Sequence, residues 1–222
     1  GAVLRNKARC NYTAVAKYPE TKAWANVTVV RPVVAVAKSV SQAVSSPGDV
    51  LTYYIWLNST GAVAPNLWFN DTLPNGVTYL WDSAVGVAGF AGRVIGTSGP
   101  YQWLNITFVG FTAGVHFFTI TVRVSDTIPV DGWPLNNTAR IKYQVPTYKW
   151  WDNASVLSYV RFPVITVEKY VDKSVAYPNE VLMYTIRVRN TGSVASPIVW
   201  VRDTMPANSY YLTSTAGSPS VS

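Results

Sequence analysis

The clearest indication of chemistry in this sequence is a spacing shared by seven asparagines, which predicts covalent modification. In each case a serine or threonine stands two positions after the asparagine, which is the acceptor pattern for N-linked glycosylation. Because Ser and Thr make up about a fifth of the chain, roughly three such sequons would be expected by chance. The excess predicts an exported protein whose covalent glycans hydrate a surface poor in charge, and the alternative is an Asn-rich and Thr-rich β protein with unused sequons. The acceptors are Asn11, Asn26, Asn58, Asn70, Asn105, Asn136 and Asn153.

Catalytic chemistry has little support in the sequence. The single histidine, His116, lies near the start of an alternating strand pattern, and no Cys, Ser or carboxylate motif accompanies it. The 11 acidic residues are dispersed, and the segment NDTLPNG lacks the alternating oxygen ligands of a calcium loop. We therefore expect no enzyme activity, no metal and no cofactor. The single Cys10 excludes an intrachain disulfide framework.

Composition excludes several classes of protein. Apolar residues make up 49% of the 222 residues and charged residues 13%, which excludes disorder by low hydrophobicity. The net charge of +7 is spread singly, which indicates a solvated surface and no nucleic-acid partner. No apolar run approaches the 18 or so residues of a membrane span, and the N-terminus has no signal-peptide pattern. Any export signal or membrane anchor is expected to have been removed or to lie outside this chain.

The local pattern predicts β-strands throughout. Runs of branched and aromatic residues at 50–58, 101–109, 115–124 and 181–189 are bounded by clusters of Gly, Pro, Asn and Asp. No stretch sustains a helical period of apolar residues. We expect an all-β protein built as an immunoglobulin-like β-sandwich, and a barrel or jelly roll is the less favoured alternative.

A long internal similarity separates core from surface. The segment SSPGDVLTYYIWLNSTG at 45–61 recurs as AYPNEVLMYTIRVRNTG at 176–192, which is 131 residues later. Residues conserved in kind between the two segments are predicted to face a core, and residues that change are predicted to face outward. Tyr54 and Trp56 belong to the second group, so they lie either under a neighbouring domain, partner or glycan, or singly on the surface. The predicted core residues are Leu51, Tyr53, Ile55 and Leu57, with counterparts Leu182, Tyr184, Ile186 and Val188.

The same offset predicts how the chain is divided. LRNKARCNY at 4–12 matches LNNTARIKY at 135–143. We expect the C-terminal part of one repeat or a donor strand at 1–32, a complete sandwich at 33–162, and the N-terminal part of a following repeat at 163–222. Because neither end can close a core alone, we expect association with copies of this chain or with adjacent repeats. Cys10 stands where Ile141 stands, so we expect a buried, unreactive thiol.

The motifs VAVAKSV, SSPGDVLTYYIWLNSTG, NDTLPNGVTYL and LNNTARI occur in an order that resembles a known family. It is the repeat domain of unknown function found in tandem in archaeal and bacterial cell-surface proteins. The second copy departs from the pattern, with PNE for PGD and DTMPANSYY without the glycine. The resemblance implies an immunoglobulin-like fold, an extracellular place at the cell surface, and a structural role in a surface layer, stalk, adhesin or filament. It implies no catalytic activity.

The resemblance also implies a covalent cross-link. Surface adhesins of similar architecture join a lysine and an asparagine by an isopeptide bond with the help of a buried carboxylic acid. The matching residues here are Lys38 as nucleophile, Asn137 as electrophile and Asp71 as proton shuttle. The alternative is a buried Lys38–Asp71 ion pair with Asn137 hydrogen-bonded nearby.

Exposed aromatic residues suggest a different function, which is glycan binding by an adhesin domain. The best candidates are Trp150 and Trp151 in YKWWDN, a cluster in an apparent loop that could stack on sugar rings. The alternative for these two residues, and for Tyr54 and Trp56, is an interface between adjacent repeats.

Overall fold

The computed structural model describes residues 2–11, 20–145 and 148–215, and nearly all of their regular structure is β. The fourteen strands of this part are β1 (Ala2–Asn11), β2 (Glu20–Val29), β3 (Val33–Val40), β4 (Val44–Ser45), β5 (Val50–Thr60), β6 (Ala64–Thr72), β7 (Val77–Asp82), β8 (Phe90–Ser98), β9 (Tyr101–Phe111), β10 (Gly114–Val124), β11 (Trp133–Val145), β12 (Tyr148–Val160), β13 (Ile165–Val171) and β14 (Tyr184–Asn190). One 3-10 turn, Ala84–Gly86, follows β7. No helix in these residues is long and apolar enough to cross a membrane.

Two sheets between residues 33 and 162 form a sandwich. One sheet has four strands in the order β3-β5-β10-β7, and the other has six in the order β4-β12-β11-β6-β9-β8. Pairing is antiparallel except between β4 and β12. The order of strands along each sheet differs from their order in the chain, as Greek-key connections require. The prediction of an all-β, immunoglobulin-like sandwich is confirmed.

The core follows the alternation of the strands. Leu51, Tyr53, Ile55 and Leu57 on β5 are all fully buried, as the sequence predicted. Aromatic rings join the two sheets across the core, because the ring of Phe118 on β10 lies 5.1 Å from that of Phe69 on β6 in an edge-to-face arrangement. Such contacts add to the stabilisation that burial of apolar area already supplies.

The opposite face of β5 carries an aromatic cluster. Tyr54 and Trp56 point outward, and both rings contact Phe117 on the neighbouring β10, at centroid distances of 6.3 and 5.4 Å. Phe117 is 48% exposed, whereas Phe118, one residue later, is fully buried. The outward direction predicted for Tyr54 and Trp56 is therefore correct, and the rings cover one another on the open face.

The two terminal hairpins pair in the registers of the sandwich. β1 and β2 pair Asn6 with Ala25, and β11 and β12 pair Asn137 with Val156. Adding 131 to the numbers of the first pair gives the second. Likewise, β13 and β14 pair Lys169 with Ile186, and β3 and β5 pair Lys38 with Ile55. The similarity detected in the sequence thus recurs in the strand pairing.

Burial differs between the hairpins and their counterparts, and two predictions are wrong for this single chain. Tyr184 and Val188 were expected in a core but are 40% and 38% exposed, whereas Tyr53 and Leu57 are fully buried. Cys10 was also expected to be buried, and it is exposed. The physical reason is the same in each case, because no second sheet covers either hairpin among the described residues.

One carboxylate joins the sandwich to the segment that follows it. Asp131 accepts hydrogen bonds from the backbone N–H of Phe162 at 2.9 Å and of Ser193 at 2.7 Å, and from the Ser193 hydroxyl at 2.8 Å. Gly192, which precedes Ser193 in the chain, must be a glycine, because an added Cβ would lie 2.4 Å from the carbonyl oxygen of Phe162. The junction between the two segments is therefore close and specific.

Candidate functional site

Three strands bring Lys38, Asp71 and Asn137 together inside the sandwich. Lys38 lies on β3 of the four-stranded sheet, and its side chain takes the inward direction shared by Val34 and Val36. Asp71 on β6 and Asn137 on β11 belong to the facing sheet, where β6 and β11 are neighbours and Asp71 pairs with Ala139. The period of two along each strand therefore points all three side chains into the space between the sheets.

The Lys38–Asp71 contact is direct. The Nζ of Lys38 donates a hydrogen bond to Oδ2 of Asp71, and neither side chain is accessible to solvent. Asn137 is also fully buried. Its amide lies near enough to Asp71 and Tyr53 to affect their pKa values. Yet neither its nitrogen nor its oxygen, nor Oδ1 of Asp71, makes a hydrogen bond of good geometry to any described residue.

Tyr53 is a fourth member of the site that sequence reasoning placed only in the core. Its ring is fully buried, and its centroid lies 4.8 Å from the Nζ of Lys38. Burial raises the pKa of its hydroxyl, and the nearby Asp71 raises it further. The internal similarity could have indicated this role, because Tyr53 and Lys38 both recur 131 residues later, as Tyr184 and Lys169.

The C-terminal segment repeats this geometry at the surface. The Nζ of Lys169 lies 2.5 Å from Oδ1 of Asp203 and 4.6 Å from the ring centroid of Tyr184. The side chains of Lys169 and Asp203 are 40% and 36% exposed. The lysine, acid and tyrosine thus occur twice in the described chain, once covered by a facing sheet and once not.

Burial sets the protonation of the enclosed pair. It lowers the pKa of Lys38, and the attraction and hydrogen bond of Asp71 oppose that effect. Burial likewise raises the pKa of Asp71, against the opposing contributions of Lys38 and Asn137. Both directions favour a neutral amine beside a protonated acid, since a dry interior penalises the charged form of each.

A neutral amine, a protonated acid and an amide without partners can exchange an amide bond. In such an exchange the lone pair of Lys38 Nζ would attack Cγ of Asn137, and Asp71 would pass a proton from the attacking nitrogen to the leaving one. The bond between Cγ and Nδ2 would then break and ammonia would leave, while the bond between Nζ and Cγ remained and Asp71 regained its starting state. The alternative, a buried pair with Asn137 beside it, needs no bond to form.

The sequons lie mostly on one face of the molecule. Asn70, Asn105, Asn136 and Asn153 all project from the outer face of the six-stranded sheet, given the registers of β6, β9, β11 and β12. Asn26 on β2 and Asn58 near the end of β5 are exposed. The side chain of Asn11 lies outside the described residues.

The tryptophan cluster is not in a loop, contrary to the expectation from YKWWDN. Trp150 and Trp151 are successive residues of β12, so their side chains point to opposite faces of the sheet. Trp150 is 39% exposed with the guanidinium of Arg31 at 4.6 Å from its ring centroid, whereas Trp151 is 66% exposed with Lys142 Nζ at 4.8 Å. The two rings therefore cannot form one stacking platform.

Comparison with known proteins finds solved structures that resemble part of this chain. No family model and no curated protein matches the chain. The chain is similar to BcpA, the major pilin subunit of Bacillus cereus, with a TM-score of 0.46 and 15% identity over 69% of this chain and 53% of the pilin. It is also similar to the major pilin SpaD of Corynebacterium diphtheriae, with a TM-score of 0.42 and 16% identity over 68% of this chain and 40% of that one.

A third similarity is to the sixth cohesin of scaffoldin B from Acetivibrio cellulolyticus, with a TM-score of 0.42 and 12% identity over 57% of this chain and 96% of the cohesin. The matches span about half or less of the two pilins. The assignment of the sandwich therefore rests on the sheet order of this chain, and membership of the tandem surface-repeat family stays a prediction.

Replacing Asp71 tests the role of the buried contact. We expect Asp71→Ala to lower the free energy of unfolding by about 3–5 kcal/mol, because the Lys38 amine loses the carboxyl group with which it pairs in a dry interior. The matched control is Thr72→Ala, at the next position on β6, where the side chain points outward and the expected change is within about 0.5 kcal/mol. Denaturant unfolding followed by tryptophan fluorescence measures both. Equal stability of the two variants would contradict the energetic role of the pair.

Proposed function

We propose that this chain is a structural segment of an extracellular polymer at the cell surface, such as a filament, stalk or surface layer. One observation carries the proposal. Lys38, Asp71 and Asn137 lie together where solvent cannot reach them. Because no substrate has access to them, the chemistry that they support acts on the protein itself. A site of that kind serves cohesion of the protein, and it gives no support to an enzyme function.

The first part of the proposal is an isopeptide bond between Lys38 and Asn137. It would join β3 of one sheet to β11 of the other and close a loop of about 100 residues, which the chain-entropy account of cross-links values at about 4.7 kcal/mol. The bond would also remove the Lys38 amine and the unpartnered Asn137 nitrogen from the core. Leaving a polar group such as the Asn137 nitrogen buried and unpaired costs about 1–3 kcal/mol.

Mass spectrometry of the purified chain tests the bond. We expect an intact mass lower by one ammonia, and a branched peptide that contains Lys38 and Asn137 after proteolysis. Asp71→Ala is expected to have the full mass calculated from its sequence, with no loss of ammonia, because the proton shuttle is absent. Asn6→Ala is the matched control, since Asn6 holds the corresponding position on β1, which pairs only with β2 among the described residues. An unmodified mass with separate linear peptides from β3 and β11 would end this part of the proposal.

The second part is assembly by strand pairing. We assign residues 1–32 and 163–222 to incomplete repeats on either side of a complete one at 33–162. The β1–β2 hairpin has the register of β11–β12, and the Lys169–Asp203 pair has the geometry of Lys38–Asp71 without an asparagine beside it. In the sandwich, β11 pairs with β6 and places Ala139 opposite Asp71. If the hairpin of a neighbouring unit paired with the C-terminal segment in the same way, Ala8 would stand opposite Asp203 and Asn6 would lie beside Lys169.

Cys10 is a native probe of this assembly. Its counterpart Ile141 is 1% exposed, whereas Cys10 is exposed in the single chain. We expect the thiol to react quickly with a maleimide in dilute monomer and at least tenfold more slowly in the assembled polymer, because a covered thiol is shielded from reagent. Deleting residues 1–12 is expected to abolish polymers in electron micrographs. Polymers that form without these residues would refute strand donation by β1, although completion by tandem repeats would still stand.

N-linked glycosylation is the third part, and exposure supports it. The sequon asparagines whose side chains are described are at least partly exposed, and four share one sheet face. The alternative function, glycan binding by an adhesin domain, is favoured by one observation, which is the 66% exposure of Trp151 beside Lys142. Binding on a glycan array that is lost in Trp151→Ala and kept in Trp150→Ala would favour the adhesin.

A further inference from the structure

Three sequon asparagines lie in one cross-strand row on the outer face of the six-stranded sheet. Asn153 on β12 stands opposite Arg140 on β11, Arg140 stands opposite Asn70 on β6, and Asn70 stands opposite Asn105 on β9. The side chains in such a row are direct neighbours, with Cβ atoms about 4.5–5.5 Å apart. The acceptors are therefore close enough to influence one another.

Asn70 and Asn105 are joined by a hydrogen bond that distinguishes their amide nitrogens. The Nδ2 of Asn70 donates to Oδ1 of Asn105 at 2.6 Å. An N-linked glycan is attached to Nδ2, so a glycan on Asn105 leaves its Oδ1 free to accept this bond. A glycan on Asn70 would instead lie on the nitrogen that points at Asn105. Asn105 is exposed and Asn70 only partly so, which favours the same choice.

An aromatic platform lies next to Asn105. Trp103 is two residues earlier on β9, on the same face, and it stands opposite Gly96 on β8. A Cβ added at Gly96 would lie 2.1 Å from Cζ2 of Trp103 and 2.5 Å from Cε2, so the indole lies across the glycine. One side of the ring therefore rests on the sheet, and the ring is partly exposed on the other side. Only a glycine opposite Trp103 permits this position.

A groove continues from Asn105 over this platform. It has a volume of about 480 Å³ and is lined by Asn70, Thr72, Ser98, Tyr101, Trp103 and Asn105. The lining combines two aromatic rings with hydroxyl and amide groups and contains no charged side chain. A pyranose ring needs this combination, because its C–H face stacks on an indole while its hydroxyls exchange hydrogen bonds with polar neighbours.

We propose that Asn105 is the glycan acceptor of this row, that Asn70 stays unmodified and orients it, and that the first sugars dock in the groove against Trp103. This inference rests on the proposed glycosylation and specifies the site. In the attachment step, the Nδ2 of Asn105 forms a bond to C1 of the sugar. The bond between C1 and the phosphate of an activated glycosyl-phosphate donor breaks, and the proton released from Nδ2 leaves with the phosphate.

Glycopeptide mass spectrometry tests the choice of acceptor. The whole chain is secreted from a host that glycosylates Asn-x-Ser/Thr sequons, and occupancy is measured at each sequon. We expect Asn105 to be occupied and Asn70 to be free in the same molecules. Thr107→Ala removes the Asn105 sequon and is expected to remove one glycan. Thr72→Ala removes the Asn70 sequon and keeps Asn70 itself, and it is expected to leave Asn105 occupied. This variant is used for occupancy alone, because Thr72 also lines the groove.

Melting temperatures test the docking. Enzymatic removal of the glycans is expected to lower the melting temperature of the wild-type chain by about 3 °C, the shift that a modest loss of contact free energy gives in a protein of this size. The same treatment is expected to have no effect on Trp103→Ala, whose sequon is intact but whose platform is gone. The control Trp68→Ala changes a tryptophan of the same sheet face that does not line the groove, and it should behave as the wild type.

Each outcome decides a different claim. Glycans at other sequons with Asn105 free, or glycans on Asn70 and Asn105 of one molecule, would overturn this inference and leave the proposed glycosylation standing. No glycan at any sequon would overturn the proposed glycosylation and this inference with it. Occupied Asn105 with equal melting shifts in the wild type and Trp103→Ala would overturn the docking.

Discussion

The burial of one lysine amine is the constraint on which the rest of this structure depends. An ammonium group in a dry, apolar interior is very unfavourable, so Lys38 requires either a partner or the loss of its charge. Asp71 supplies the partner from the facing sheet. A slip of one residue in β3 or β6 would turn one of the two side chains to the outside, because strand side chains alternate. The pair therefore specifies both the registers of the strands and the way the two sheets are stacked.

The same pair couples folding to the position of one proton. Between the ordinary pKa values of 3.8 for aspartate and 10.5 for lysine, the unfolded chain holds one proton on the two groups, carried by the lysine. Burial lowers the pKa of Lys38 and raises that of Asp71, against the mutual attraction of the two groups. Folding therefore favours a shift of this proton from the amine towards the acid, because a dry interior penalises the charged form of each.

Strand alternation and a 131-residue offset predicted the strands and the core of β5, because both leave direct marks in residue types, whereas the lysine–acid–asparagine group followed from the resemblance to surface adhesins. The sequence did not predict the exposure of Cys10 or Tyr184, because burial depends on which sheet covers a strand, and that sheet lies elsewhere in the chain or outside it. The sequence also suggested a loop for the two adjacent tryptophans, because a short aromatic cluster can occur either at a turn or in a strand. The Asn70–Asn105 contact could not be foreseen, because it depends on the pairing of β6 with β9.

The junction at Asp131 has a mechanical consequence. One carboxylate accepts three hydrogen bonds, and these tie the end of the sandwich to the turn that follows β14. The hydrogen bonds of the Ser193 side chain, and then of the Phe162 backbone, lower its pKa below 3.8, so the contribution of the ionised group is present above that value and is lost as the pH falls through the lower folded pKa. Three hydrogen bonds to one ionised group restrict the bending of the sandwich against the segment that follows it, and protonation of that group in strong acid weakens this restriction.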